Sequence, residues 1–145
     1  MKTKSILLLL LLSASLAGAA EKIVAGPKGG RLLDVAPLKA EFFVTKDRTV
    51  EVNFYDASLK PVAPGAQVVA VTAEPKAGRT PVELQPSATG FVSKTALPAS
   101  AEPYRVVVQV RATAEARPQN FRIDLNLAPC DGCKQAEYAC ICTSH

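Results

Sequence analysis

The cysteines of this chain fall at its C-terminal end, as Cys130-Asp131-Gly132-Cys133 and Cys140-Ile141-Cys142, and the single histidine, His145, follows them. The spacing is C-x2-C-x6-C-x-C-x2-H. A C-x2-C turn with glycine before its second cysteine aims both sulfurs at one centre, about 2.3 Å from each, as in zinc sites. Cys140 and Cys142, two apart, face one side of an extended segment. Four thiolates, or three thiolates and an imidazole, complete a tetrahedral shell for zinc, whereas two or three thiolates suit copper(I). The candidate metal ligands are therefore Cys130, Cys133, Cys140, Cys142 and His145. No organic cofactor is expected.

Two other chemistries use the same residues. In an oxidising compartment four thiols pair as two disulfides, and three connectivities are open. A bridge within Cys140-Ile141-Cys142 closes a strained ring, so each of these cysteines would pair with Cys130 or Cys133. Such bridges join the tail to itself, because no cysteine lies within the strands expected upstream. Thiol-disulfide exchange at Cys130 and Cys133 ranks third, since no helix follows to lower a thiolate pKa. Asp131 and Glu137 read as solvated charges or as acceptors around the thiols rather than as ligands.

The rest of the composition excludes more than it adds. With 1 His, a Ser-His-Asp or Cys-His pair would need its base from the end of the chain. A blue-copper site needs two histidines and usually a methionine, and the only methionine is Met1. Glu51, Asp56, Glu83 and Asp124 are spread over polar faces and turns, with no pair set at a catalytic separation. The chain is not expected to be an enzyme.

Residues 1–20 read as a secretory signal peptide: Lys2 and Lys4, an apolar run from Ile6 to Leu12, then Ala17-Gly18-Ala19-Ala20 for cleavage. The run is too short to span a bilayer, so no stable membrane insertion is expected after cleavage. Position 19 is alanine, where a lipoprotein needs cysteine. The expected location is periplasmic or secreted. Cleavage removes two lysines from a formal charge of +4, and the remaining basic residues are scattered among acids. Nucleic-acid binding is not expected.

The elements that must position the cysteines are strands. From Gly29 the apolar pattern runs at period two and is broken by Pro, Gly, Asp or Ser every eight to twelve residues, as in a sandwich. Leu38 to Val44 and Val50 to Tyr55 form a hairpin around Lys46-Asp47-Arg48. Val68 to Thr72, Pro81 to Gln85 and Gly90 to Lys94 follow as Pro-flanked edge strands, and Pro61 to Pro64 forbids a central strand there. Tyr104 to Ala112 and Asn120 to Leu127 are the two best strands. The expected fold is all-β, an immunoglobulin-like antiparallel β-sandwich of about seven strands with an irregular Cys-rich C-terminal tail; a small barrel is the alternative. The expected division is 1–20 signal, 21–28 flexible N-terminal segment, 29–127 sandwich and 128–145 Cys/His tail.

Gly26-Pro27-Lys28-Gly29-Gly30-Arg31-Leu32-Leu33, with Glu41-Phe42-Phe43-Val44 and Val52-Asn53-Phe54-Tyr55-Asp56, resembles the N-terminal immunoglobulin-like region of heavy-metal efflux periplasmic adaptor proteins. The resemblance runs roughly from Gly26 to Val62. Those domains often open Gly-Pro-x-Gly-Gly-Arg-Leu with asparagine or histidine at x; here x is Lys28, so no metal role carries over to it. The adaptor's long helical hairpin and barrel are absent, which implies a free-standing relative of one small domain. Tyr138-Ala139-Cys140-Ile141-Cys142-Thr143-Ser144-His145 is similar to the Tyr-x-Cys-Pro-Met-His segments of small metal-binding domains of the same efflux systems, with cysteine for methionine, no proline and a displaced histidine. The expected function is binding of a soft or borderline metal ion, zinc or copper(I), as a buffer, carrier or efflux accessory. The expected partners are the ion and an envelope protein or efflux component. The rival is a non-catalytic envelope interaction module whose tail holds two disulfides.

Overall fold

Period-two alternation builds ten strands among the described residues of the computed structural model, residues 22–142. The segment read as an export signal and His145 both lie outside the described residues. The strands are β1 (Arg31–Val35), β2 (Leu38–Val44), β3 (Val50–Tyr55), β4 (Pro61–Val62) and β5 (Val68–Glu74), then β6 (Thr80–Val82), β7 (Leu84–Ser87), β8 (Gly90–Ser93), β9 (Tyr104–Arg111) and β10 (Gln119–Leu125). One sheet runs β1-β2-β3-β8-β7 with β4 appended to β3, and the other runs β10-β9-β5-β6. All pairings are antiparallel. This is the expected sandwich, with more strands than the expected seven.

Two of the three extra strands have a physical origin in the sequence. β1 reads Arg-Leu-Leu-Asp-Val, which lacks clean alternation, and it forms by pairing with β2 across a two-residue turn with a cis Ala36–Pro37 peptide. The stretch expected as one strand, Pro81 to Gln85, breaks at Glu83: β6 pairs with β5, whereas β7 pairs with β8 in the other sheet. Val82 and Leu84 both pack against the core while Glu83 is exposed, so the alternation continues unbroken through the change of sheet. Period two reports the face, not the partner.

The expectation that the middle strands are edges is corrected for two of them. β5 lies between β9 and β6, and β8 between β3 and β7. Pro75 sits beyond the last paired residue of β5, and Pro86 pairs with Phe91 from the edge strand β7, where its missing donor can face outward. β10, expected among the best strands, is an edge.

The two sheets bury one core. Phe42, Val50, Val52 and Phe54 from one sheet meet Val71, Val106, Val108 and Ile123 from the other, all at most 2% exposed. Phe91 stands edge-on to Phe54 at 6.3 Å, and Leu97 closes over the core from the β8–β9 connection, its N–H bonded to Arg48 O.

The outer face of β2 carries a group that alternation assigns to solvent. Glu41 is fully buried. Its carboxylate accepts the N–H groups of Lys28 (2.9 and 3.2 Å) and Gly30 (2.8 Å) and the Tyr55 hydroxyl (2.8 Å). Residues 24–30 thus form a turn on the sheet, closed by Gly26 N–H to Gly30 O and by Leu32 N–H to Val24 O. A Cβ on Gly26 would lie 2.3 Å from Glu41 Cδ, so the turn rests directly on the carboxyl group. Lys28 completes the cluster by pairing with Glu51 and lying 5.9 Å from the Phe43 ring centroid. Burial and then the Glu41 carboxylate hold the Tyr55 phenol well above its usual range.

Glu41→Ala leaves three donors without their acceptor, and urea denaturation should show a loss of about 3 kcal/mol or more. Glu41→Gln keeps one acceptor oxygen and should cost distinctly less. Equal losses would mean that the packing of the side chain and the acceptor oxygen that glutamine keeps contribute nothing.

Candidate metal centre

The chain leaves β10 at Leu125 and doubles back at once. Asn126 Oδ1 accepts the N–H of Ala128, Ala128 O accepts that of Glu137, and Pro129 bridges to Ala136. At the tip of this small hairpin Cys130 N–H donates to Gln135 O (2.7 Å) and Lys134 N–H to Cys130 O (2.9 Å). The reversal needs one left-handed residue, which is Lys134 at φ 63°. The loop is therefore the knuckle expected from Cys130-Asp131-Gly132-Cys133.

Beyond it, a short 3-10 turn, Glu137–Ala139, drives Tyr138 into the end of the sandwich. The hydroxyl of Tyr138 accepts the N–H of Val44 at 3.0 Å, and its ring stands edge-on to Phe42 with centroids 5.8 Å apart. β1 pairs with β2 only as far as Phe42, so Val44 N–H has no strand partner on that side. Tyr138 supplies the missing acceptor. Tyr138 N–H donates to Asn126 O, and Ala139 is fully buried. Burial pushes the Tyr138 phenol up to about 12. The irregular tail thus contributes Tyr138 and Ala139 to the core of the sandwich.

Cys140 follows Ala139 in extended conformation, which returns Cys140 and Cys142 to the knuckle. All four sulfurs lie within 4.8 Å of one another. The separations Cys130–Cys142 and Cys133–Cys140 are 3.8 and 3.7 Å. A tetrahedron of sulfurs about 2.3 Å from a zinc ion has edges of about 3.8 Å, so two edges already stand at that length. Cys130 and Cys140 are closer, at 2.7 Å, still well beyond the roughly 2.05 Å of a disulfide. No disulfide joins any of the four cysteines. Of the five sequence-predicted ligands the fold brings the four cysteines together, while His145 falls outside the described residues.

Gly132 is required by the cluster itself. A Cβ there would lie 2.5 Å from Cys142 Sγ, so any side chain displaces that sulfur. Asp131 is exposed, as expected. What sequence reasoning missed is Tyr138 as an anchor, and its only signal was an aromatic residue two before a cysteine.

The sulfurs are electrostatically unequal. The N–H groups of Gln135 and Ile141 point at Cys133 and draw its thiol down to about 6. Contact with Cys130, reinforced by burial, pushes Cys140 up to about 12. Cys142 is drawn down by Cys140, but Cys130 and burial outweigh this and hold it above the ordinary thiol range. In the metal-free cluster one thiolate is thus stabilised by two N–H groups and by its neighbours' protons. A cation takes the place of those protons.

No protein family, curated protein or solved structure matches this chain. The chemistry of the cluster rests on its own geometry. That geometry can hold one metal ion.

Two outcomes follow. Ultraviolet titration of the reduced, metal-free protein should show its first thiolate forming near pH 6, absent in Cys133→Ser; a first midpoint in the ordinary thiol range would contradict the role of the two N–H groups. Tyr138→Phe strips Val44 N–H of its acceptor and should cost about 1–3 kcal/mol in denaturant unfolding. Tyr138→Ala also opens a cavity and should cost about 3–5 kcal/mol.

Proposed function

We propose that this protein is exported and binds a soft or borderline metal ion through Cys130, Cys133, Cys140 and Cys142, without a catalytic step, as a buffer, carrier or accessory of metal efflux. The observation that carries the reading is four cysteine sulfurs within 4.8 Å of one another, with two separations at the edge length of a zinc tetrathiolate. Zinc is the preferred ion, because four thiolates saturate its tetrahedral shell. Copper(I) would engage only two or three of them. The basic, apolar and small-residue regions of segment 1–20 support export to the periplasm or beyond. The resemblance of residues 26–62 to the adaptor region supports an efflux setting and an envelope component as partner.

The deciding experiment is intact mass on mature protein taken from the cell envelope without reductant or chelator, with thiols alkylated at lysis. Native spectra should carry one zinc or copper ion, and denatured spectra should show loss of residues 1–20 and four alkyl groups. A denatured mass about four daltons below the reduced value, with no alkyl group and no ion, would replace this reading by the disulfide-bonded interaction module. Removal of the ion by a chelator should also lower the melting temperature, since the ligands span the segment that anchors Tyr138.

A further inference from the structure

The four ligands are not equally placed. Cys130 and Cys140 are 1% and 5% exposed, whereas Cys133 and Cys142 are half-buried. The buried pair backs onto the docked segment, Cys140 directly after the buried Ala139. Around the other pair the surface is open: Asp131, Gly132 and Lys134 are exposed, and Ile141 is 48% exposed. Gly132 in particular covers Cys142 Sγ with no side chain at all. The cluster has a closed back and an open front.

We infer, resting on the metal-binding reading above, that the ion is loaded and released through the Cys133–Cys142 face by ligand exchange with a thiol-bearing acceptor, while Cys130 and Cys140 hold it until last. Sulfur donors best match an ion already held by four thiolates, which sets the acceptor's chemistry. In the first step the acceptor thiol gives its proton to solvent and its sulfur bonds to the ion. The bond to Cys142 Sγ breaks, and that thiolate takes up a proton. A second exchange at Cys133 follows in the same way, and no electron is transferred. Lateral access to Cys130 or Cys140 would require Tyr138 and Ala139 to leave the core, which is a far slower event. A tetrathiolate site of this kind exchanges its ion without unfolding. This distinguishes it from a site whose four ligands are all buried.

The test uses the full mature chain loaded with one zinc ion. Zinc transfer to a small dithiol chelator is followed for the wild type, Cys142→Ser and Cys140→Ser. Cys142→Ser should keep one zinc ion, with transfer faster by about tenfold or more, whereas Cys140→Ser should lose stoichiometric zinc. In parallel, the zinc-loaded wild type is labelled briefly with a maleimide and mapped by peptide mass, so the inference does not depend on a variant that fails to fold. Cys133 and Cys142 should label first. Equal effects of the two substitutions, or labelling of Cys130 and Cys140 at the same rate as the others, would overturn the directional exchange while leaving the metal-binding reading intact. Wild-type protein that takes up no zinc would sink both.

Discussion

β2 carries the contacts on which both ends of the described chain depend. On its outer face Glu41 accepts three hydrogen bonds and pins the turn of residues 24–30. On its inner face Phe42 and Val44 receive Tyr138, through a ring contact and a backbone hydrogen bond. These hydrogen bonds give partners to the buried Glu41 carboxylate and the buried Val44 N–H, which makes their loss costly. The cysteine cluster inherits its position from the second of them. Without Tyr138 in the core, Cys140 has no fixed relation to the knuckle.

The consequence for the metal chemistry is preorganisation. A free C-x2-C-x6-C-x-C peptide must order its whole length when an ion binds, and the conformational entropy opposes binding. Here the hairpin from Asn126 to Glu137 and the buried Tyr138 and Ala139 already fix the approach of both cysteine pairs. The ion has only to move sulfurs, chiefly Cys130 and Cys140, which start at 2.7 Å. Backbone N–H groups aimed at Cys133 prepare one negative charge before the ion arrives.

The same architecture reconciles a stable site with an exchangeable one. Two sulfurs anchored in the interior preserve the shape of the cluster, while two at the surface remain open to an incoming ligand. Gly132 lets the cluster close, since its lack of a side chain admits Cys142 Sγ. The sandwich itself has no part in the chemistry. It holds the back of the cluster still, as folds generally do for the sites they carry.

Period-two alternation and turn residues determined the all-β class, the β2–β3 hairpin and the β9–β10 pair, because one face of each strand must be buried whatever its neighbours are. The C-x2-C knuckle was legible for the same local reason: its geometry closes within six residues, from Cys130 to Gln135. Which strand pairs with which was not legible, and the break at Glu83 shows why, since alternation passes unchanged from one sheet to the other. Nor was the burial of Glu41, whose donors come from a turn 11 and 13 residues away and from Tyr55 on the next strand. Least legible of all was the docking of the tail, which depends on a hydrogen bond spanning 94 residues, from Val44 to Tyr138. The cysteines and their spacing were written locally. Their assembly into one cluster with a buried back and an open front exists only once β1 ends short of Val44 and leaves its N–H for a tyrosine from the far end of the chain.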